Sequence, residues 1–342
     1  MRTIEISTKD ALSRIYIGES FKNINKYLPE GKTVIITDEN IIRLYGHALP
    51  PFPLIVTGTG EKNKTIDSLK RIFDRLIEYE ADRSTFILGV GGGIVCDVAG
   101  FAASVYMRGL RFGFISTTVL SQVDASVGGK NGVNFNNFKN MIGVFRQPEF
   151  VICDSNMLET LDPMQISTGF AEIIKASLIK DEMFFRYLEE NSKKALELDH
   201  EIINDIIYRS VNIKAGVVAQ DEKETGERKI LNFGHSFAHT IENLTGISHG
   251  EAVSIGMVLA SKMAEKLGHL GHSDVERITR LLEKFNLPVS LDLNMTKVIE
   301  SMKKDKKRKG DMIYFVLLDK IGHAFIQPLS YKHLEEIIND LR

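Results

Sequence analysis

The segment TFILGVGGG (residues 85–93) decides the fold, because it predicts a buried β-strand that runs directly into a glycine-rich turn. Small and apolar residues follow over residues 94–107, and this composition predicts a helix that is buried on nearly all sides. The run TVIIT (residues 33–37) is typical of a strand that is buried on both faces. PLIVT, RFGFISTT and EFVICD predict further strands, and residues 66–79 carry a helical stripe. Strands that alternate with helices in this way predict a parallel α/β layer.

The first thirty residues contain two short β-like runs, TIEIS and RIYIG, which suit strands at the edge of a sheet. The sequence pattern changes after residue 154. Residues 156–310 carry almost entirely helical patterns, and a late β-like run, MIYFVLL, precedes a closing helix. We therefore predict an α/β domain over residues 1–155 and an α-helical domain over residues 156–342.

Composition excludes several classes of protein. The 43 basic and 45 acidic residues give a net charge of −2, so no broad basic surface indicates nucleic-acid binding. The most apolar stretch, residues 93–120, is interrupted by charges and does not predict a membrane span. The two cysteines offer no disulfide framework, and the N-terminus has no apolar core of the signal-peptide kind. We expect a cytoplasmic protein.

Three of the nine histidines lie in LNFGHSFAHTIENLTGISHGE (residues 231–251). His235 and His239 are four residues apart, so on a helix both imidazoles emerge from one face. Gly246 can end that helix, and His249 opens a second apolar segment. Two antiparallel helices would bring His249 back beside the first pair. Neutral imidazole suits zinc and related metals, although a lone buried histidine is more often an ordinary core residue.

Glu172 lies among apolar residues in GFAEIIK, and a buried carboxylate needs a partner. One candidate is Lys175, which follows three residues later. The other is a metal ion, with Glu172, His235 and His249 as three protein ligands that leave a coordination position open for substrate.

Two further segments suggest ligand binding. Glycines 89, 91, 92 and 93 lie between a strand and a helix, where the backbone can approach a pyrophosphate at the helix N-terminus. Their spacing is not that of the usual dinucleotide fingerprint, and a tight turn with close helix packing explains them equally well. Residues 121–145 are polar with little periodicity, so we expect a functional loop whose lysines bind phosphate or carboxylate.

A set of longer motifs carries a resemblance to a known family. GEKNK, GVGGGIVCDVAGFAAS, STTVLSQVDASVGGK, KNMIGVF, GFAEIIK, DEKETGERKILNFGHSFAHTIE and HGEAVSIGM occur in family order between residue 33 and about residue 310. Together they resemble the 3-dehydroquinate synthases. The resemblance implies a Rossmann-like N-terminal α/β domain, an all-α C-terminal domain, bound NAD, one zinc ion that cobalt can replace, and a homodimer. It also implies conversion of a sugar phosphate, 3-deoxy-D-arabino-heptulosonate 7-phosphate, to 3-dehydroquinate and phosphate in the shikimate pathway.

The resemblance assigns individual residues. The metal ligands are Glu172, His235 and His249. The NAD-binding residues are Asp38, Asn40, Glu61, Lys64, Gly92, Gly93, Asp97, Thr117, Thr118 and Asp124, with Lys130 and Lys139 adjoining. The substrate-binding and catalytic residues are Lys130, Lys139, Asn140, Lys175, Lys214, Arg228, Asn232 and His239, with Arg108 directed to the phosphate and Lys306 favoured over Lys307. Ala125 replaces a common serine and Gln165 a common glutamate, and both positions look peripheral to the chemistry.

Three alternatives have different consequences. Related sugar-phosphate cyclases share most of these motifs and make other carbocycles. Metal-dependent polyol dehydrogenases have a similar glycine loop and metal-binding histidines, but they release NADH and lack the lysine- and arginine-rich set. A non-catalytic NAD- or metal-binding protein would not need that set either. The basic and amide residues therefore favour dehydroquinate synthesis.

Overall fold

The computed structural model describes residues 1–8, 11–136, 138–292, 295–303 and 312–339. The chain divides into two compact units, Met1–Asp162 with Ile203–Lys223 and Pro163–Ile202 with Glu224–Arg342. This division differs from the predicted boundary at residue 155, because residues 203–223 group with the first unit. A linear pattern does not reveal such a return, since a helix has the same periodicity whichever unit it packs on.

The first unit contains a parallel sheet and a separate hairpin. Its strands are β1 (Arg2–Ser7), β2 (Leu12–Ile17), β3 (Thr33–Asp38), β4 (Leu54–Thr57), β5 (Phe86–Gly91), β6 (Arg111–Ser116), β7 (Lys130–Phe135), β8 (Phe138–Phe145) and β9 (Phe150–Cys153). Seven of these form one sheet in the order β1-β2-β9-β6-β5-β3-β4. β1 is antiparallel to β2, and the other neighbours are parallel. The predicted parallel α/β layer is confirmed.

The central strands form the core of this sheet. All six residues of β5 are buried, and Ile35 of β3 pairs with Leu88 of β5, each with no exposed surface. A strand that is covered on both faces needs no polar alternation, which is why these segments read as continuous apolar runs. In a parallel sheet the carboxyl ends of the strands share one edge, so Asp38, Gly91 and Ser116 end their strands on the same side.

Helices surround the sheet and make up most of the second unit. They are α1 (Glu39–Tyr45), α2 (Ile66–Glu78), α3 (Gly93–Val105), α4 (Pro163–Lys180), α5 (Glu182–Leu196), α6 (His200–Gln220), α7 (His235–Thr245), α8 (His249–Lys266), α9 (His272–Lys284), α10 (Met295–Lys303) and α11 (Tyr331–Asn339). Leu69, Ile72 and Leu76 form the buried stripe of α2, as its periodicity predicts. No helix within the described ranges is long and apolar enough to span a membrane.

The segment that we expected to be a polar loop, residues 121–145, is largely ordered into other structure. Residues 121–125 form a short π-helical turn, and β7 and β8 pair as an antiparallel hairpin. Asn131 and Val133 are buried on the side that packs against α3, whereas most of β8 is exposed. The prediction of a loop was wrong because an exposed strand that carries lysine, asparagine and glycine has neither apolar alternation nor high β-propensity.

The second unit is built around α8, which packs against both α4 and α7. An antiparallel pair, β10 (Met312–Lys320) and β11 (His323–Ser330), accompanies these helices. The sequence predicted only the first of these two strands. The C-terminal part is therefore mostly helical rather than all-α.

Candidate metal and cofactor sites

Three helices of the second unit bring the predicted metal ligands together. Glu172 lies in the middle of α4, and His235 and His249 are the first residues of α7 and α8. The distance from Glu172 Oε1 to Nε2 is 3.6 Å for His235 and 3.5 Å for His249. One ligand atom from each residue lies within 4.8 Å of the other two. The ring centroids of His235 and His249 are 5.3 Å apart, as expected for two helices joined by a tight turn.

The ends of the helices explain why the histidines converge. α7 follows Gly234 and ends at Gly246, and both glycines have left-handed backbone conformations (φ 78° and 75°) that other residues adopt at a cost. Ser248 then starts α8 with a capping box, in which its hydroxyl accepts the backbone N–H of Glu251 and the Glu251 carboxylate accepts the Ser248 N–H. The chain therefore reverses within a few residues, and His249 returns beside His235.

Each imidazole is oriented through its Nδ1 atom. His235 Nδ1 lies 3.2 Å from the carbonyl oxygen of Phe233, and His249 Nδ1 lies 2.7 Å from Glu242 Oε1. A proton on Nδ1 in each ring satisfies these acceptors. Both Nε2 atoms then face Glu172. The neutral His235 ring offers a lone pair on Nε2, and the His249 ring offers one once its Nε2 proton has been released.

The charges around Glu172 favour its ionised form. Burial opposes ionisation, but Lys175 and the two imidazoles outweigh it and hold the pKa of Glu172 well below its ordinary value. Burial and the positive Lys175 hold the pKa of His235 well below its ordinary value, so this ring is neutral near pH 7. Burial also disfavours the charged form of His249, but Glu172 and Glu242 raise its pKa to about 9.

The donor atoms fit a divalent metal ion. Lys175 pairs with Glu172 Oε2, whereas the buried Glu172 Oε1 has no hydrogen-bond partner among the described residues. The two Nε2 atoms that face it lie at the outer limit of hydrogen bonding. A carboxylate oxygen and two imidazole nitrogens form a typical set of zinc ligands, and three protein ligands leave one position open. The lysine and metal alternatives for Glu172 are therefore compatible, because each uses a different carboxylate oxygen.

His239 lies one turn beyond His235 on α7, with its ring centroid 5.5 Å away. It does not belong to the ligand group that the described residues form.

The other predicted residues of this unit lie near the same helices. Lys175 is buried beside the ligand group, and the buried Arg228 and partly buried Asn232 lie in the 3-10 turn before α7. Asn232 Nδ2 donates to Glu224 Oε1 at 2.5 Å. Lys306 lies outside the described residues.

The glycine turn of the first unit precedes α3. The first N–H groups of this helix have no intrahelical partners and could donate to an anion. Two neighbours explain why glycine is needed: a Cβ atom on Gly92 would lie 3.1 Å from Thr118 Cγ2, and one on Gly93 would lie 2.9 Å from Ala125 Cβ. Gly89 and Gly91 have similarly close packing contacts. The turn therefore has both the close packing and the exposed helix terminus that the sequence left as alternatives.

Acidic residues and lysines form a second polar cluster in this unit. Lys64 Nζ lies 2.5 Å from Asp97 Oδ2 and 2.5 Å from Asn140 Oδ1. Burial raises the pKa of Asp97 to about 6, although Lys64 acts in the opposite direction. Lys214 Nζ, on α6, lies 2.5 Å from Asp124 Oδ1. These contacts join residues that were predicted to bind cofactor to residues that were predicted to bind substrate.

The other predicted residues of this unit lie at strand ends or on exposed segments. Asp38 ends β3, where one carboxylate oxygen accepts the N–H of Ile41, and burial raises the pKa of Asp38. The remaining residues are exposed Asn40 and Glu61 after β3 and β4, Thr117 and Thr118 after β6, exposed Lys130 and Lys139 on the hairpin, and exposed Arg108 after α3. Arg108 has φ 70°, a conformation that is unusual for a residue other than glycine.

Among the polar residues that contact predicted site residues and that the sequence interpretation missed are Glu224, Glu242 and Asn134. Glu242 left a detectable signal, because it is a carboxylate in the apolar face of α7 and lies close to the end of that helix. Asn134 left none, since its role depends on the unpredicted hairpin.

Comparison with known proteins agrees with this architecture. Family models of 3-dehydroquinate synthase match residues 54–168 (N-terminal model) and residues 169–308 (C-terminal model). A 3-dehydroquinate synthase of Ruthia magnifica subsp. Calyptogena magnifica is 38% identical over an alignment of 357 positions that covers 99% of this chain and 99% of that protein.

Two solved structures are similar over almost their whole length. One is a 2-deoxy-scyllo-inosose synthase complexed with carbaglucose-6-phosphate, NAD+ and Co2+, with a TM-score of 0.85, 26% identity, and coverage of 99% of this chain and 100% of that chain. The other is 2-epi-5-epi-valiolone synthase from Streptomyces hygroscopicus subsp. jinggangensis, with NAD+ and Zn2+ bound. Its TM-score is 0.88 at 24% identity, and the match covers 100% of this chain and 99% of that chain. At this identity the second match supports the fold alone. With both family models matched and a relative aligned from end to end, the chain belongs to the 3-dehydroquinate synthase family.

Proposed function

We propose that this protein converts 3-deoxy-D-arabino-heptulosonate 7-phosphate to 3-dehydroquinate and phosphate, and is therefore a carbon–oxygen lyase of the shikimate pathway. The observation that carries the proposal is the buried Glu172 Oε1, which faces two imidazole Nε2 atoms in a member of this family. One carboxylate oxygen and two imidazole nitrogens that converge in this way are a typical ligand set for a divalent cation.

Glu172, His235 and His249 would hold zinc, for which cobalt can substitute. A zinc ion held there would supply a Lewis acid that makes a substrate hydroxyl more acidic, and bound NAD would supply reversible hydride transfer. Lys175 contributes by holding Glu172 Oε2, which keeps the carboxylate ionised and its other oxygen directed to the histidines. Phe233 and Glu242 contribute by fixing the ring orientations of His235 and His249.

The first unit would bind NAD. The N-terminus of α3 offers free N–H groups to the pyrophosphate, and the strand ends offer hydroxyls and carboxylates to the ribose rings. The proposed contacts are Asp38, Asn40, Glu61, Lys64, Gly92, Gly93, Asp97, Thr117, Thr118 and Asp124, with Lys130 and Lys139 adjoining. We accordingly assign cofactor binding to the N-terminal part of the chain and metal binding to the C-terminal part.

Basic and amide side chains would bind the substrate. Arginine and lysine suit phosphate and carboxylate, and amides can bind hydroxyl groups. The proposed residues are Lys130, Lys139, Asn140, Lys175, Lys214, Arg228, Asn232, His239 and Lys306, with Arg108 directed to the substrate phosphate. We also propose that the protein acts as a homodimer in the cytoplasm; its two cysteines are buried and free, which suits a reducing compartment.

The experiment that tests the function follows phosphate and NADH together. The protein is incubated with the heptulosonate phosphate, NAD and zinc, and we expect phosphate and a carbocycle in large excess over enzyme without net NADH. Stoichiometric accumulation of NADH would instead identify a polyol dehydrogenase. A parallel incubation with glucose 6-phosphate distinguishes a sugar-phosphate cyclase of the inosose type, because phosphate release from that substrate alone would exclude dehydroquinate synthesis.

A further inference from the structure

Asn134 forms hydrogen bonds with three other residues, and each bond uses a different group of Asn134. Its backbone N–H donates to the carbonyl oxygen of Lys64 at 2.8 Å. Its side-chain Nδ2 donates to Glu61 Oε1 at 2.8 Å. Its side-chain Oδ1 accepts the backbone N–H of Asn140, again at 2.8 Å. All three partners belong to the proposed cofactor- and substrate-binding set, whereas Asn134 has no place in that set.

An irregularity in the hairpin makes this arrangement possible. The register between β7 and β8 shifts between Val133 and Phe135, so Asn134 is not opposite a partner in the ladder. A residue at such a bulge can direct its backbone and side-chain groups away from the neighbouring strand. Asn134 is only partly buried, so packing is not what this position requires from its side chain.

The bonds of Asn134 close a ring through the polar cluster. Asn140 has a left-handed backbone conformation (φ 51°), and its N–H is held by the Asn134 side chain. The Asn140 side chain in turn accepts from Lys64 Nζ, which also pairs with Asp97. The Lys64 backbone then returns to the N–H of Asn134. Each member of the ring therefore limits the position of the next.

We propose that Asn134 is a positioning residue that sets the geometry of Lys64 and Glu61 for binding NAD, directly and through Asn140, which contacts Lys64. The proposal rests on the proposed function, because it assumes that Lys64 and Glu61 contact the cofactor. Asn134 acts through its three partners and itself touches neither substrate nor cofactor. An asparagine is required because one side chain must both donate to the Glu61 carboxylate and accept from a backbone N–H.

The test is the NAD dissociation constant of the zinc-loaded protein, measured by isothermal titration without substrate. Asn134→Ala removes both side-chain bonds, and we expect NAD affinity to fall by about tenfold. Asn134→Asp keeps the acceptor for Asn140 but sets a second carboxylate against Glu61, so its affinity should fall at least as much. Asn136→Asp is the matched control, since it makes the same change two residues away at the exposed hairpin tip, and it should change affinity by less than twofold.

A double-mutant cycle separates positioning from a general structural effect. Glu61→Gln supplies an amide that can donate to the new carboxylate at position 134. In that background, Asn134→Asp should change NAD affinity by less than threefold, although it weakens binding in the wild-type background. Zinc content and melting temperature should remain at the wild-type values in all variants.

Two results would overturn the inference. One is an NAD dissociation constant within twofold of wild type for both Asn134 variants. The other is a loss of affinity that the Glu61→Gln background does not relieve and that accompanies a lower melting temperature, which would give Asn134 a structural role. Either result leaves the proposed function intact. If the wild-type protein itself did not bind NAD, the proposed function would fail instead.

Discussion

Gly250 controls how closely α8 can approach α4, and its replacement by alanine should disrupt the metal site. A Cβ atom at this position would lie 2.2 Å from the carbonyl oxygen of Thr168 and 2.7 Å from its carbonyl carbon. Real Cβ contacts are no shorter than 3.0 Å, so the two helices must separate by at least 3.0 − 2.2 = 0.8 Å. The obstacle is backbone, which cannot rotate away.

That separation is large for a metal site. His249 precedes Gly250, and Glu172 lies one turn after Thr168, so the shift acts directly on the pair whose Nε2–Oε1 distance is 3.5 Å. Metal–ligand distances tolerate only about 0.2 Å. We therefore expect zinc affinity to fall by about 100-fold. The overpacked contact should also lower the free energy of unfolding by about 1–3 kcal/mol.

The assay is zinc competition against a chelator of known affinity, together with urea unfolding of the same preparation. Gly216→Ala is the matched control, because Gly216 lies inside α6 and a Cβ atom added there would have nothing within 4 Å. It should retain zinc and raise the free energy of unfolding by about 0.5–1 kcal/mol. Wild-type zinc affinity in folded Gly250→Ala protein would refute the reasoning.

The metal ligands, the group that orients one of them and a surface ion pair give three further tests. His249→Ala should lose bound zinc, whereas His239→Ala should retain zinc by metal analysis and lose activity; full zinc occupancy in the His249 variant would contradict the ligand assignment. Glu242→Ala should weaken zinc binding by about 10–100-fold, because the imidazole loses its orienting acceptor. Glu265→Ala is the control, because it removes a similar contact between a carboxylate and Nδ1 of the exposed His272, and it should leave zinc affinity unchanged. Burial opposes ionisation of Asp205, but its two arginine partners lower its pKa. The ionised Asp205 carboxylate therefore stabilises the folded protein above the ordinary pKa of aspartate. This stabilisation is lost as pH falls through the lower pKa that Asp205 has in the folded state. Asp205→Asn should therefore lower the free energy of unfolding by about 1 kcal/mol at pH ~7, and urea unfolding should show this difference disappearing at strongly acidic pH.

The parallel sheet and the return of His249 beside His235 could be predicted from the amino-acid sequence. The runs at residues 33–37 and 85–91 could only be strands covered on both faces, because so many consecutive β-branched and apolar residues have no stable place on a surface. The spacing of His235 and His249 around Gly246 likewise predicted a helix pair that returns on itself, since a glycine that ends a helix is a local signal. These features leave local signals in the sequence, namely continuous apolar runs for the strands and a glycine between the two histidines for the helix pair.

Only the tertiary structure decided how the more distant polar groups are paired. Glu172 divides its oxygens between Lys175 and the histidines, which no spacing rule distinguishes from a simple ion pair. The hairpin at residues 130–145 forms although its outer strand has no apolar alternation, because its inner strand is buried against α3. Asn134 acquires its three partners only after that hairpin has folded, since they are six or more residues away and lie on other strands and turns. The physical reason is that hydrogen bonds between distant segments leave no periodicity in the sequence, whereas burial of one face of a helix or strand does.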